Sequence, residues 1–174
     1  MWREKIFEEI RELPIGASKL YLLELGNKKI ESEEFAKLAL RKFTLEDGIT
    51  YIIERNEYGK PYIKNNPNLH FNISHTKDMI VCAVSEKSIG VDIETVRPTY
   101  NRIAEKFFSV KEQEYIFKSK DGQDVRFCEI WTRKEAYVKW IGKGMLMPFK
   151  SFDVIHDNRI VTIFVGKYIL SVCS

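Results

Sequence analysis

Carboxylates with a lysine nearby are the side chains that hold phosphates and divalent cations, and this 174-residue sequence has two such groups. In Ile89-Gly90-Val91-Asp92-Ile93-Glu94 a period of two sends Ile89, Val91 and Ile93 to a core and places Asp92 and Glu94 on the opposite face. Two carboxylates held together repel, and a hard cation such as Mg²⁺ relieves the repulsion. The ordinary reading is an edge strand with a wet outer face. In Trp131-Thr132-Arg133-Lys134-Glu135-Ala136-Tyr137-Val138-Lys139 the residues Trp131, Glu135 and Lys139 stand four apart, stacked along one helix face. Its ordinary reading is an i,i+4 ion pair beside a core tryptophan. A third segment, Phe71-Asn72-Ile73-Ser74-His75-Thr76, offers Asn72, Ser74 and Thr76 as anion-binding groups, with His75 at a turn. Glu112 stands three residues after Ser109, so it completes a capping box whatever else it does.

The elements that must position these residues follow from periodicity and punctuation. Trp2, Ile6, Ile10 and Leu13 predict a helix ended by Pro14. Lys19 to Leu25 is apolar without a deciding period. Ser32 to Phe43 is a helix with Phe35, Leu38, Ala39 and Lys42 on one face. Ile49–Ile53 is a strand, and Asn56-Glu57-Tyr58-Gly59 turns it into a second at Tyr62-Ile63. Met79–Ser85 and Ile89–Glu94 are strands. Helices follow at Asn101–Phe107, at Ser109–Phe117 and, capped by Asp124 and stopped by Gly142, through Trp140. Phe152–Ile155, Ile160–Val165 and Lys167–Val172 are the last strands. The fold class is therefore α+β, with two halves of similar plan, 1–88 and 89–174, in a single unit.

Composition narrows the functions. With 44% hydrophobic and 30% charged residues the chain is an ordinary globular protein. A net charge of +3 argues for no nucleic acid, and all of that excess falls after residue 87. Arg97 to Lys143 carries 11 basic and 7 acidic side chains, a helical face able to meet an acidic partner or simply to be solvated. Cys82, Cys128 and Cys173 have neither disulfide nor zinc spacing. Acids among the first nine residues argue against a signal or transit peptide, and no uncharged run has the ~18 residues of a spanning helix. These features describe a soluble cytoplasmic protein, expected to be a monomer.

Taken in order, Asn-x-Ser-His, Gly-x-Asp-x-Glu, Phe-Phe-Ser-x-x-Glu and Trp-x-x-Lys-Glu-Ala-x-x-Lys form a series that resembles the 4'-phosphopantetheinyl transferases of the surfactin-synthetase-activating (Sfp) class. The resemblance runs from about Ile49 to the C-terminus, and the 43 residues from Asp92 to Glu135 suit the family's middle segment. It implies a pseudo-twofold pair of α/β halves with coenzyme A between them. It implies Asp92, Glu94 and Glu135 as Mg²⁺ ligands and Lys139 as a pyrophosphate contact. Ser74 and His75 would contact the coenzyme A phosphates, and Gly59, Lys60 and Pro61 would lie against the adenine. Glu112 would be the general base, with Glu135 or a metal-bound water as alternatives. The implied reaction moves the phosphopantetheine arm of coenzyme A to a serine of an apo acyl or peptidyl carrier protein of fatty acid, polyketide or nonribosomal peptide synthesis, releasing 3',5'-ADP. A coenzyme A-binding regulatory or scaffold protein of the same fold is the other reading. The N-terminal quarter departs from the pattern. Lys19, Lys28, Lys29, Arg41 and Lys42 are its candidates for the 3'-phosphate, with Glu31, Glu33 and Glu34 among them. Either helix 32–43 or the segment from Lys19 to Lys29 takes the place of the family's equivalent helix.

Overall fold

Two edge strands lie against each other where the site forms. The computed structural model describes residues 2–46, 48–98 and 101–174. A four-stranded antiparallel sheet runs in the order β1 (Arg11–Ile15), β2 (Ser18–Glu24), β6 (Met79–Ser85), β5 (His70–His75), so that β5 is an edge. A three-stranded antiparallel sheet runs β7 (Gly90–Thr95), β9 (Tyr168–Cys173), β8 (Ile160–Val165), with β7 at its edge. A short hairpin pairs β3 (Ile53–Arg55) with β4 (Pro61–Ile63). The chain is thus a mixed α/β protein with antiparallel sheets.

Both faces of β2 are covered. Tyr21 and Leu23 pack with Phe35, Ala36, Ala39 and Leu40 of α2 (Ser32–Thr44), whereas Leu20 and Leu22 join Ile89, Val91, Ile93, Leu170 and Val172 in a core shared by the two sheets. Apolar residues of both parities erase the period of two, which is why that segment reads ambiguously. A third core, with Phe108, Ile116, Ile130, Ala136 and Val154, lies among α3 (Asn101–Phe107), α4 (Val110–Phe117) and α5 (Gln123–Ile141). Cys82, Cys128 and Cys173 are all free and buried. No helix among the described residues is long and apolar enough to cross a membrane.

Four expectations need correction. The first helix, α1 (Trp2–Glu9), stops before Leu13 and Pro14, which belong to β1. Pro14 lacks a donor for a second ladder, but an edge strand needs only one. The Trp2 side chain lies outside the described residues. Ile49 to Ile52 form no strand, and Ile49 and Ile52 are exposed. Helix α5 is capped by Gly122 in the left-handed region (φ 69°), with Asp124 inside its first turn rather than at the cap. Phe152–Ile155 is no strand either: the Arg133 guanidinium donates to the carbonyl oxygens of Val154 (2.8 Å) and Ile155 (3.4 Å), leaving these two no need of a ladder, and to those of Asp157 (3.2 Å) and Ile160 (3.2 Å) beyond them.

Gly90 lets β7 touch α5. A Cβ there would stand 2.1 Å from the Ala136 carbonyl oxygen and 2.4 Å from the Trp140 nitrogen, both backbone atoms of the helix. Gly90→Ala must push strand and helix apart, so it should cost about 1–3 kcal/mol and lower the melting temperature by roughly 2–12 °C. Thermal unfolding of the purified variant checks this; an unchanged midpoint would show that helix and strand separate freely.

Candidate active site

Asp92 lies at the middle of β7, opposite Ser171 of β9 and beneath α5. With Val91 and Ile93 committed to the shared core, its side chain turns toward the helix, where it is only 5% exposed. Three groups meet there. Lys139 Nζ lies 2.7 Å from Asp92 Oδ1 and also donates to the Val91 carbonyl oxygen (3.2 Å) and to Ser74 Oγ (3.3 Å). Ser74 donates to the same Asp92 oxygen at 2.8 Å. Asp92 Oδ2 is buried and has no hydrogen-bond partner.

The seam between β5 and β7 explains how Ser74 arrives. The two edges are joined through side chains rather than a backbone ladder: Val91 N donates to Asn72 Oδ1 (2.9 Å) and Ile93 N to Ser74 Oγ (3.4 Å). Alternation along β5 brings Asn72 and Ser74 to this face together. His75 ends the strand in solvent. Thr76 serves the turn instead, its hydroxyl accepting from Asp78 N and Met79 N.

Glu94 and Glu135 flank Asp92 electrostatically. Burial first, and the Asp92 charge second, hold both carboxyls above the usual glutamate value of 4.5, while Lys139 opposes the shift at each. Ionised Glu135 is therefore costly to the folded protein. That cost is absent below the unfolded value and complete once the pH has passed the raised folded one. Glu135→Gln should accordingly raise the melting temperature near neutral pH by about 2–4 °C, with the gain fading toward pH 4. Melts at the two pH values check the sign.

Glu135 and Lys139 line a cleft of about 290 Å³ together with Gly59, Lys60, Pro61 and Asn72. Gly59 (φ 84°) closes the turn in which Asn56 Oδ1 accepts from Tyr58 N and Lys60 N. The turn is fastened to the end of α5. Asn56 Nδ2 donates to the Gly142 carbonyl oxygen, and Lys60 Nζ to those of Trp140 (3.0 Å) and Ile89 (3.2 Å). Burial draws the Lys60 ammonium down to about 8. Lys60 thus lies on the cleft wall, while its charge caps the α5 carbonyl oxygen of Trp140.

The structure corrects the expectation for Glu112. The capping box with Ser109 is complete, as the spacing predicts. Glu112 Oε2 accepts from Ser109 N (2.9 Å) and pairs with Lys134 Nζ (2.9 Å), Glu112 Oε1 accepts from Val154 N (3.1 Å), and both charged side chains have zero exposure. Lys134 also donates to the carbonyl oxygens of Phe149 (2.6 Å) and Phe152 (2.7 Å). A carboxylate sealed in this way meets no incoming hydroxyl, so Glu112 is a structural anchor. In the sequence Lys134 stands out only as the first lysine of the Trp-x-x-Lys-Glu-Ala-x-x-Lys series, which does not reveal its burial.

The basic residues of the N-terminal quarter do not converge on the cleft. Lys19 pairs with Glu12 (2.8 Å) and Lys28 with Glu9 (2.5 Å). Lys42 lies 4.1 Å from the Phe7 ring centroid, and Arg41 lines a separate depression with Glu31, Glu33 and Glu34.

No three His, Cys, Asp or Glu side chains among the described residues stand at metal-holding spacing. Even so, the donor chemistry fits a hard cation. Asp92 presents a buried oxygen with no partner, and both glutamates are destabilised by its charge.

Comparison with known proteins finds the following similarities. A family profile described as ACPS, 4'-phosphopantetheinyl transferase superfamily, matches residues 88–170. Over 135 residues the chain is 41% identical to the 4'-phosphopantetheinyl transferase gsp of Aneurinibacillus migulanus, covering 74% of this chain and 55% of that protein. It is 45% identical over 118 residues to a 4'-phosphopantetheinyl transferase of Bacillus subtilis (67% and 52%), and 42% identical over 109 residues to Sfp of Bacillus subtilis strain 168 (62% and 49%). The chain spans about half the length of these relatives.

Proposed function

From the geometry of its cleft and its similarity to the 4'-phosphopantetheinyl transferase superfamily, we propose that this chain transfers the 4'-phosphopantetheine arm of coenzyme A to a serine of an apo carrier protein. The observation that carries the reading is the contact of Lys139, Asp92 and Ser74 beside Glu135, in a cleft walled by Gly59, Lys60 and Pro61. Coenzyme A would lie between two halves, 1–88 and 89–174, related by a pseudo-twofold axis; their two sheets and shared core support this arrangement.

The serine hydroxyl attacks the phosphorus that carries pantetheine, the bond to the bridging pyrophosphate oxygen breaks, and 3',5'-ADP leaves with the bonding electrons. Such a reaction asks mainly for positioning and charge stabilisation. Lys139, already held against Asp92 and Ser74, presents its ammonium to the phosphate oxygens. His75, at the open end of β5, is a further donor to the phosphates, and Ser74, whose one hydroxyl proton goes to Asp92, holds the lysine that meets them. Glu135, by its place on the cleft wall, takes the proton of the serine, the role first expected of Glu112. Asp92, Glu94 and Glu135 would hold Mg²⁺, which when bound supplies neutralisation of the pyrophosphate charge. The basic excess between Arg97 and Lys143 suits a small acidic helical carrier.

Incubation of several apo carrier proteins with the chain, coenzyme A and Mg²⁺, followed by intact-mass measurement, tests the proposal. Gain of one phosphopantetheine arm supports it; binding of coenzyme A without transfer to any carrier would leave the regulatory reading.

The salt-bridged lysines of the N-terminal quarter bear on donor choice. A lost charge-assisted hydrogen bond to an anion is worth ~1.5–3 kcal/mol, so a complete 3'-phosphate pocket rejects dephospho-coenzyme A by roughly tenfold to a hundredfold. With Lys19 and Lys28 tied to Glu12 and Glu9, discrimination in kcat/KM should fall below about tenfold, or ~1.4 kcal/mol. Kinetics with the two donors side by side decide it. A large preference that disappears on alanine substitution of Lys19, Lys28, Lys29 or Arg41 would refute the expectation.

A further inference from the structure

We infer that Asn72 is a ligand-binding residue of this cleft, its side-chain amide donating to a phosphate oxygen of the coenzyme; the inference rests on the coenzyme A reading above. Asn72 lines the cleft with Glu135 and Lys139 and is 95% buried, 5% of its surface remaining accessible. Its orientation is fixed by chemistry. Val91 N–H is a donor, and only the amide oxygen can accept from it at 2.9 Å. The two N–H bonds of Nδ2 must then point away from β7, and they make no hydrogen bond to the described residues. Nδ2 is not sealed from solvent, so its idle donors are open to an acceptor that enters the cleft. Nearby on the same cleft wall is the Lys139 ammonium, so two kinds of donor converge on one space, and a phosphate oxygen satisfies both.

A rival role is purely structural, because Oδ1 also stitches β5 to β7. The two roles separate on substitution. Asn72→Asp keeps an oxygen for Val91 N–H and removes the donor, whereas Asn72→Ala removes both. Calorimetric titration of each protein with coenzyme A, together with its melting temperature, is the experiment. The expected result is that Asn72→Asp melts within a few degrees of the parent yet binds coenzyme A more weakly by roughly tenfold to a hundredfold. Asn72→Ala should melt lower and bind more weakly than the parent, though less so than the aspartate variant, which adds repulsion. Binding within threefold of the parent by either variant would overturn the assignment. Failure of the parent protein to bind coenzyme A would overturn the transferase reading, and the amide's role with it.

Discussion

Glu112→Gln should lower the melting temperature by about 6–20 °C while leaving the turnover of the folded protein within about threefold. The substitution leaves Lys134 fully buried beside an uncharged amide, with only the carbonyl oxygens of Phe149 and Phe152 and the surrounding rings for company. Breaking one side of a buried pair costs about 3–5 kcal/mol, because the remaining charge has no water to return to. In a chain of this size each kcal/mol moves the midpoint by about 2–4 °C. A general base behaves oppositely: its loss cuts turnover ~100-fold at an unchanged midpoint. Measuring both quantities on one preparation discriminates, and a normal melt with a hundredfold slower enzyme would restore Glu112 to the chemistry. A second variant, Lys134→Met, should recover part of the stability of Glu112→Gln, since an uncharged pair needs no counter-ion.

Asp92→Asn should reduce kcat/KM for transfer by at least about 100-fold with little change in fold. The amide oxygen still accepts from Ser74, and the new NH₂ group can occupy the side on which Oδ2 had no partner. Lys139 loses its counter-ion but keeps the Val91 carbonyl oxygen and remains partly in solvent. What disappears is the negative charge around which Lys139, Glu94 and Glu135 are arranged. Removing one preorganised electrostatic contact, such as an oxyanion-hole donor, costs about 10²–10³ in rate, and the loss expected here is of that order. Near-normal transfer at saturating Mg²⁺ would sink the cation assignment; a fall in rate matched by a fall in melting temperature would point to packing instead.

Much of this site can be read before any coordinates are known, and the reason is periodicity. Asp92 and Glu94 on alternate positions of a strand, and Glu135 and Lys139 one turn apart on a helix, are patterns that local geometry alone dictates. The Ser109–Glu112 cap is equally local and forms as spaced. What stayed hidden is long-range. The desolvation of Glu112 depends on Lys134, 22 residues away, and the missing strand at Phe152–Ile155 depends on Arg133. Pro14 misled for the same reason, since whether a proline ends a helix or sits on a sheet edge depends on a partner strand. Asn72 shows the intermediate case. Its type announced a hydrogen-bonding role, but which of its atoms β7 would take could be known only from Val91.

The Arg133 guanidinium has one more implication. Its five N–H groups accept the assignment of a whole stretch of chain, from Val154 to Thr162, by meeting four carbonyl oxygens and one hydroxyl. A loop usually records its path in its own glycines, prolines and asparagines. Here part of the record lies in the turns closed by Asp153 and Asp157, and part is kept elsewhere, on a helix more than 20 residues upstream. The exposed His156 and Asn158 are thereby released from specifying shape, whereas a single change at Arg133 would remove five of the bonds that set the path.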